Sequence, residues 1–155
     1  MLLDYLHTHP NATIRYYKSD MILYLDSDAA YLVAPNSRSR YAGFYYLGNK
    51  YTPASLQKTS LNRGIHVECK LLRNVVSSAA EAEVGSIFHN CQMAISIRQI
   101  LTALGHTQPA TPVKTDNSTA ASFANDTLKA RKSKSWDMRY NWLKDRERLK
   151  QFLIY

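Results

Sequence analysis

"SSAAEAEVGSIFHNCQMAISIRQILTALG", residues 77–105, decides which kind of fold this chain can adopt. Val84, Ile87, Phe88, Cys91, Ile95 and Leu101 recur at helical spacing, and no proline interrupts the run. Ser78 can cap the start and Gly105 the end, so one long helix is expected from about Ser78 to Leu104. Glu81 stands three residues after Ser78, the capping-box position from which a carboxylate reaches back to the cap. Glu83, further into the helix, has no such local employment and is the better placed of the two for chemistry. Helical pitch alone does not choose between them, because the two glutamates flank the apolar stripe on opposite sides.

Upstream, "MILYLDSD" (21–28) alternates. Ile22, Tyr24, Asp26 and Asp28 fall on one face and Leu23, Leu25 and Ser27 on the other, which predicts a first strand ending in acid. "APNSRSR" (34–40) reads as a turn with basic residues, "YAGFYYLGN" (41–49) as a second, aromatic strand, and "KYTPASLQKTSLNRG" (50–64) as a polar loop. "IHVECKLLR" (65–73) is a third strand, and three in succession suggest an antiparallel meander. Downstream, "PATPVKTD" (109–116) is a short strand again ending in acid. A helix is expected over 118–125, then a basic loop, a helix from Ser135 to Arg148, and a last strand opened by "QFLIY" (151–155). The fold class is therefore α/β, a mixed five-stranded sheet with helices crossing between its later strands. Sites in such sheets gather outside the carboxyl ends of strands.

A chain of 155 residues with 45% hydrophobic and 11% aromatic residues builds one cored domain and is not a disordered chain. No apolar run approaches the ~18 residues of a membrane span, and "MLLDYLHTHPNA" lacks the basic-then-apolar order of a secretion signal. Cys69 and Cys91 have no paired spacing, which fits reduced thiols inside a cell, and the acids that interrupt the C-terminal basic run speak against a membrane partner. Between Lys129 and Lys150 nine Lys or Arg face three Asp or Glu, most of the net charge of +8. With Trp136, Tyr140 and Trp142 interleaved, that segment is the footprint of a phosphate-rich partner, although a solvated basic helix face gives the same pattern. His7 and His9 have no partner acids nearby, His89 reads as a partly buried or solvent-facing helix residue and Cys91 as core, and there is no Gly-rich phosphate loop.

Asp28, Asp116 and the glutamate pair are weak signals singly, since an acid at a strand end is more often a turn former. If the first and fourth strands are neighbours, these carboxylates converge. Converging carboxylates repel one another unless a hard cation such as Mg²⁺ neutralises them. Two such ions ~3.5–4 Å apart suit phosphodiester hydrolysis.

"SDAAY" (27–31), "RSRYAGFYYLG" (38–48), "VVSSAAEAEVGS" (75–86), "PVKTDNSTA" (112–120) and "KSKSWDMRYNWLKDRE" (132–147) run in order along nearly the whole chain. Together they resemble the ribonuclease H domain of copia-type LTR retrotransposon polyproteins. "LLDYLHTHPNATIRYYKSDM" (2–21) resembles the segment that joins the reverse transcriptase to that domain. The resemblance implies a ribonuclease H-like domain over 21–155, with 1–20 as the connection to a reverse transcriptase of the same polyprotein. It implies an endonuclease that hydrolyses the RNA strand of RNA–DNA hybrids during reverse transcription, using two Mg²⁺ or Mn²⁺ ions. Asp28, Glu83 and Asp116 would be its catalytic, metal-binding acids, with Asp26 as the alternative to Asp28 and Asp137 as a structural residue of the last helix. Arg38, Arg40, Arg131, Lys132 and Lys134 are the candidates for contacts to the nucleic-acid backbone. The expected location is intracellular, in the cytoplasm, a virus-like particle or the nucleus. The family's fourth carboxylate lies in a helix after the fifth strand, and no residue up to Tyr155 matches it. That C-terminal helix is expected to be missing and turnover to suffer, which leaves an inactive nucleic-acid-binding module as the alternative.

Overall fold

The computed structural model describes residues 2–52, 54–56, 61–116 and 134–155, with side chains from Met138 onward in the last of these. The helix expected over 118–125, Arg131, Lys132 and the side chains of Lys134, Trp136 and Asp137 lie outside the described residues. The elements are α1 (Leu2–Thr8), β1 (Ile22–Ala34), β2 (Arg38–Gly48), β3 (Gly64–Leu71), α2 (Ala79–Ala103), β4 (Thr111–Lys114), α3 (Lys134–Arg148) and β5 (Phe152–Ile154). The sheet order is β3-β2-β1-β4-β5. The first three strands pair antiparallel, and β4 lies parallel to both β1 and β5. The expected meander is present, and β1 and β4 are neighbours.

Local chemistry fixes both ends of α2. The Ser78 hydroxyl accepts from the Glu81 N–H at 3.1 Å, while the Glu81 carboxylate accepts the N–H and the hydroxyl of Ser77, each at 2.7 Å. The reach back therefore lands one residue before the cap, and the consequence is the one anticipated: Glu81 is committed to the helix start. At the other end Gly105 sits at φ +91°, where a side chain is strained. Its N–H meets the Thr102 carbonyl at 3.0 Å and the His106 N–H meets that of Leu101 at 2.9 Å, the paired bonds of a Schellman stop.

Leu23, Leu25, Tyr45 and Val113 of the sheet pack against Val84, Ile87, Cys91, Ala94 and Leu101 of α2, with Leu143, Phe152 and Ile154 closing the core. The opposite sheet face is tyrosine-rich, with Ile22, Tyr24 and Tyr46 buried beside Phe44 and Tyr51.

Two expectations need correction. β1 does not end at its acids but continues to Ala34, because Asp28, Ala29 and Ala30 keep antiparallel partners in Ala42, Tyr41 and Arg40. The turn is confined to 35–37, where Asn36 and Ser37 take left-handed φ values of 58° and 53°, so Arg38 and Arg40 belong to β2. Asn is one of the few residues at ease in that conformation, which lets so short a reversal serve two long strands.

The segment before β1 is also tied down. Tyr16 donates its hydroxyl to the Gly64 carbonyl at 3.0 Å, and Asn62 bonds the Tyr17 N–H and carbonyl at 3.1 and 3.0 Å. The Asp20 carboxylate accepts the Lys50 N–H at 2.8 Å. Residues 16–20 thus form a strap across the 49–64 loop, whereas no residue of α1 is buried.

Candidate metal centre

β1 meets β4 only at Leu25–Val113 and Asp26–Lys114. Past that pair β1 has no strand neighbour on its β4 side among the described residues, and three carboxylates meet around the opening. Asp28 comes from β1, Asp116 from just after β4, and Glu83 from the N-terminal part of α2. An oxygen of each lies within 4.8 Å of the other two. Asp28 and Asp116 are exposed, while Glu83 is only 6% exposed. The Ala29 N–H donates to the Glu83 carboxylate, yet its Oε2 is buried with no hydrogen-bond partner among the described residues. Burial first, and then the charges of Asp116 and Asp28, push the Glu83 carboxyl up to about 7, against the pull of the Ala29 N–H. An orphaned buried carboxylate oxygen facing two further acids is a donor set that a hard divalent cation fits, since it supplies oxygen ligands and surplus negative charge.

Behind the acids lies a buried polar network. The Ser86 hydroxyl donates to the Asp28 carbonyl at 2.6 Å and lies 3.0 Å from the Ser27 hydroxyl. Asn90 donates to the Ala42 carbonyl at 2.8 Å and to Ser27 Oγ at 2.9 Å, and its side-chain oxygen accepts the Tyr45 hydroxyl at 3.1 Å. Gly43 makes room for it, since a Cβ there would stand 2.5 Å from Asn90 Oδ1. This network pins α2 to β1 and β2 beside the acids, and the apolar-stripe reading missed it. The available signal was the spacing of Glu83, Ser86 and Asn90 by three and four, which places three polar residues on one helix face.

Among solved structures, the chain is similar to LC11-RNase H1, isolated from compost by a metagenomic approach. The TM-score is 0.59 at 8% identity, over 87% of this chain and 83% of that one. The structure of LC11-RNase H1 in complex with an RNA/DNA hybrid gives 0.57 at 6% identity, over 86% of this chain and 84% of that one. RNase H1 from the halophilic archaeon Halobacterium salinarum NRC-1 gives 0.56 at 9% identity, covering 86% and 80%. The fold is ribonuclease H-like. A foamy viral protease–reverse transcriptase in complex with an RNA/DNA hybrid shares this ribonuclease H-like fold over 94% of the present chain and 18% of its own, with TM-score 0.52 and 12% identity. No protein-family model matches the sequence, and no curated protein sequence is similar to it.

Other candidate residues fall elsewhere on the ribonuclease H-like fold. Asp26, the alternative acid, is not part of the cluster. Burial raises its carboxyl above the usual range and Lys114 opposes that rise, while Tyr46 and Tyr155 feel its charge. The Arg38 guanidinium donates to the carbonyls of Leu72 and Arg73, and Arg40 is exposed on β2. His9 stacks on Tyr5 at 4.4 Å, away from any acid cluster. His89 stacks on Tyr41 at 5.1 Å, and burial lowers its pKa. Cys91 is a fully buried core residue. Trp142 packs edge-on to Phe88 at 5.2 Å under the Arg146 guanidinium. No helix among the described residues is long and apolar enough to cross a membrane.

Proposed function

We propose that this chain is a divalent-metal-dependent endonuclease that hydrolyses the RNA strand of RNA–DNA hybrids. The observation that carries this reading is the meeting of Asp28, Glu83 and Asp116 at the carboxyl end of the β1–β4 pair in a ribonuclease H-like sheet. These three residues would hold Mg²⁺ or Mn²⁺. When bound, such ions supply an activated water and charge stabilisation at the leaving oxygen. The chain's own part is to prepare the acids. Glu83 would give up its proton to accept the cation, while the Ala29 N–H orients its carboxylate and Ser86 holds the backbone of Asp28. Cleavage leaves a 3′-hydroxyl and a 5′-phosphate.

Arg40, Arg131, Lys132 and Lys134 are the proposed backbone contacts, with Arg38 a weaker candidate because its guanidinium is already bonded to carbonyls. The resemblance of its motifs to those of copia-type elements supports a role in reverse transcription, with 1–20 connecting to a reverse transcriptase domain of the same polyprotein and an intracellular location. The second reading is a hybrid-binding module of the same fold without turnover.

The test is cleavage of an end-labelled RNA–DNA hybrid with Mg²⁺ or Mn²⁺, alongside hybrid binding by fluorescence anisotropy. Cleavage by the chain and its loss in Asp116→Asn, with binding kept in both, is expected. Binding without cleavage in either protein establishes the second reading instead.

A further inference from the structure

β3 is an edge strand, paired with β2 on one side and with no strand on the other among the described residues. Its side chains divide cleanly. His66 and Glu68 face α2, since they pair with Tyr45 and Gly43. Val67, Cys69 and Leu71, which pair with Phe44, Ala42 and Arg40, point to the other side of the sheet and are exposed, Val67 at 65% and Leu71 at 46%; Ile65, 42% exposed, falls at the register shift between Tyr45 and Tyr46. Open edges are ordinarily guarded by like charges or proline. Here the charged residues of the strand are Glu68 and Lys70, one of each sign and in ionic contact, with the Lys70 side chain 62% exposed.

Such an edge can be matched by a copy of itself about a two-fold axis normal to the sheet. That operation keeps each face on its own side, and antiparallel neighbours directly opposite each other share a face, so the central residue must lie opposite its own copy. Centring on Glu68 sets two carboxylates opposite each other, and centring on Lys70 sets two ammonium groups opposite; both are unfavourable. Centring on Val67 sets His66 opposite Glu68 of the copy but leaves Lys70, the exposed charge, opposite Gly64 at the irregular end of the strand. Centring on Cys69 sets Glu68 opposite Lys70 of the copy twice and Val67 opposite Leu71 of the copy twice.

We propose that β3 pairs antiparallel with β3 of a second copy of this chain, centred on Cys69, so that two five-stranded sheets join edge to edge. The pairing is self-complementary in both charge and hydrophobicity. The overlap is short and buries less than the ~1,600 Å² of a standard interface, so the dimer is weak and forms as concentration rises. Opposed residues in such a ladder have Cα atoms ~4.5–5.5 Å apart, inside the range that a disulfide spans. Cys69 is the exposed thiol and Cys91 the buried one, which makes the register readable.

The experiment needs neither metal nor nucleic acid, so its outcome is separate from that of the nuclease reading. Light scattering over a dilution series is combined with diamide, which takes two electrons and two protons from a thiol pair. Expected are a mass that climbs toward twice the monomer, a reducible covalent dimer on oxidation, loss of the covalent dimer alone in Cys69→Ser, and loss of both in Val67→Lys at unchanged circular dichroism. A monomer at every concentration overturns the proposal, as does a dimer that does not cross-link through Cys69 or that survives Val67→Lys. Amide-exchange protection of β3 that appears only when a reverse transcriptase domain is attached gives the edge to another occupant and overturns it equally.

Discussion

Glu83 is worse off ionised in the folded protein than in water, because it is buried and faces two like charges. The sign of its effect on stability follows. Below its ordinary value of 4.5 the group is protonated folded or unfolded; between there and about 7 the folded chain alone keeps the proton. Stability therefore falls as pH rises through that window and levels off above it, by on the order of 2–3 kcal/mol. Thermal melts in a chelator are expected to show a midpoint declining from about pH 5 to about pH 8. Glu83→Gln should flatten the decline and raise the midpoint at the alkaline end, and a midpoint indifferent to the substitution contradicts this account. At this scale the sequence was half legible. Asp28 and Asp116 stand out in "SDAA" and "KTDN", and the cap logic set Glu81 aside, where its bonds to Ser77 and Ser78 occupy it. Asp26 could not be told from Asp28 by alternation, because what separates them is where β4 stops, and that is a property of another segment.

The ends of α2 were readable because a cap and a stop are local chemistry, Ser78 at one end and Gly105 at the other. The length of β1 was not. Small and acidic residues look like a turn when read alone, and only the facing run of β2 keeps them extended. Equally invisible was the packing of α2 through polar groups. Asn90 is wholly buried and bonds Ser27, Ala42 and Tyr45, so Asn90→Ala strands several buried partners at once. The expected loss is roughly 2–4 kcal/mol in urea denaturation. Exposed Asn49, which bonds the Asp20 N–H at 3.2 Å on the rim of the domain, should cost far less when made alanine.

For the molecule as a whole, strand pattern and helix position implied the meander and the crossovers, while the adjacency of β1 and β4 stood only as a condition until the sheet order supplied it. The strap did not show in the sequence, because its bonds join Tyr16, Tyr17 and Asp20 to residues far along the chain. Its presence moves the working edge of the folded unit to about residue 16, inside the segment assigned to the connection. Removal of residues 1–15 is expected to leave the thermal midpoint nearly unchanged, and removal of 1–20 to lower it measurably; equal effects of the two truncations argue against a structural strap.

The parallel pairing of β1 with β4 also has a kinetic side. Leu25 and Val113 are brought together only after the whole of α2 has crossed between them, and Asp28 and Asp116 approach by the same closure. Such long-range pairing tends to come late on the way to the native state. In the denatured chain the acids do not know one another, and whatever forms before that closure feels none of their repulsion. An ion that tied them together would thus act mainly as a brake on the exit from the native basin, lengthening its lifetime while leaving the speed of arrival alone.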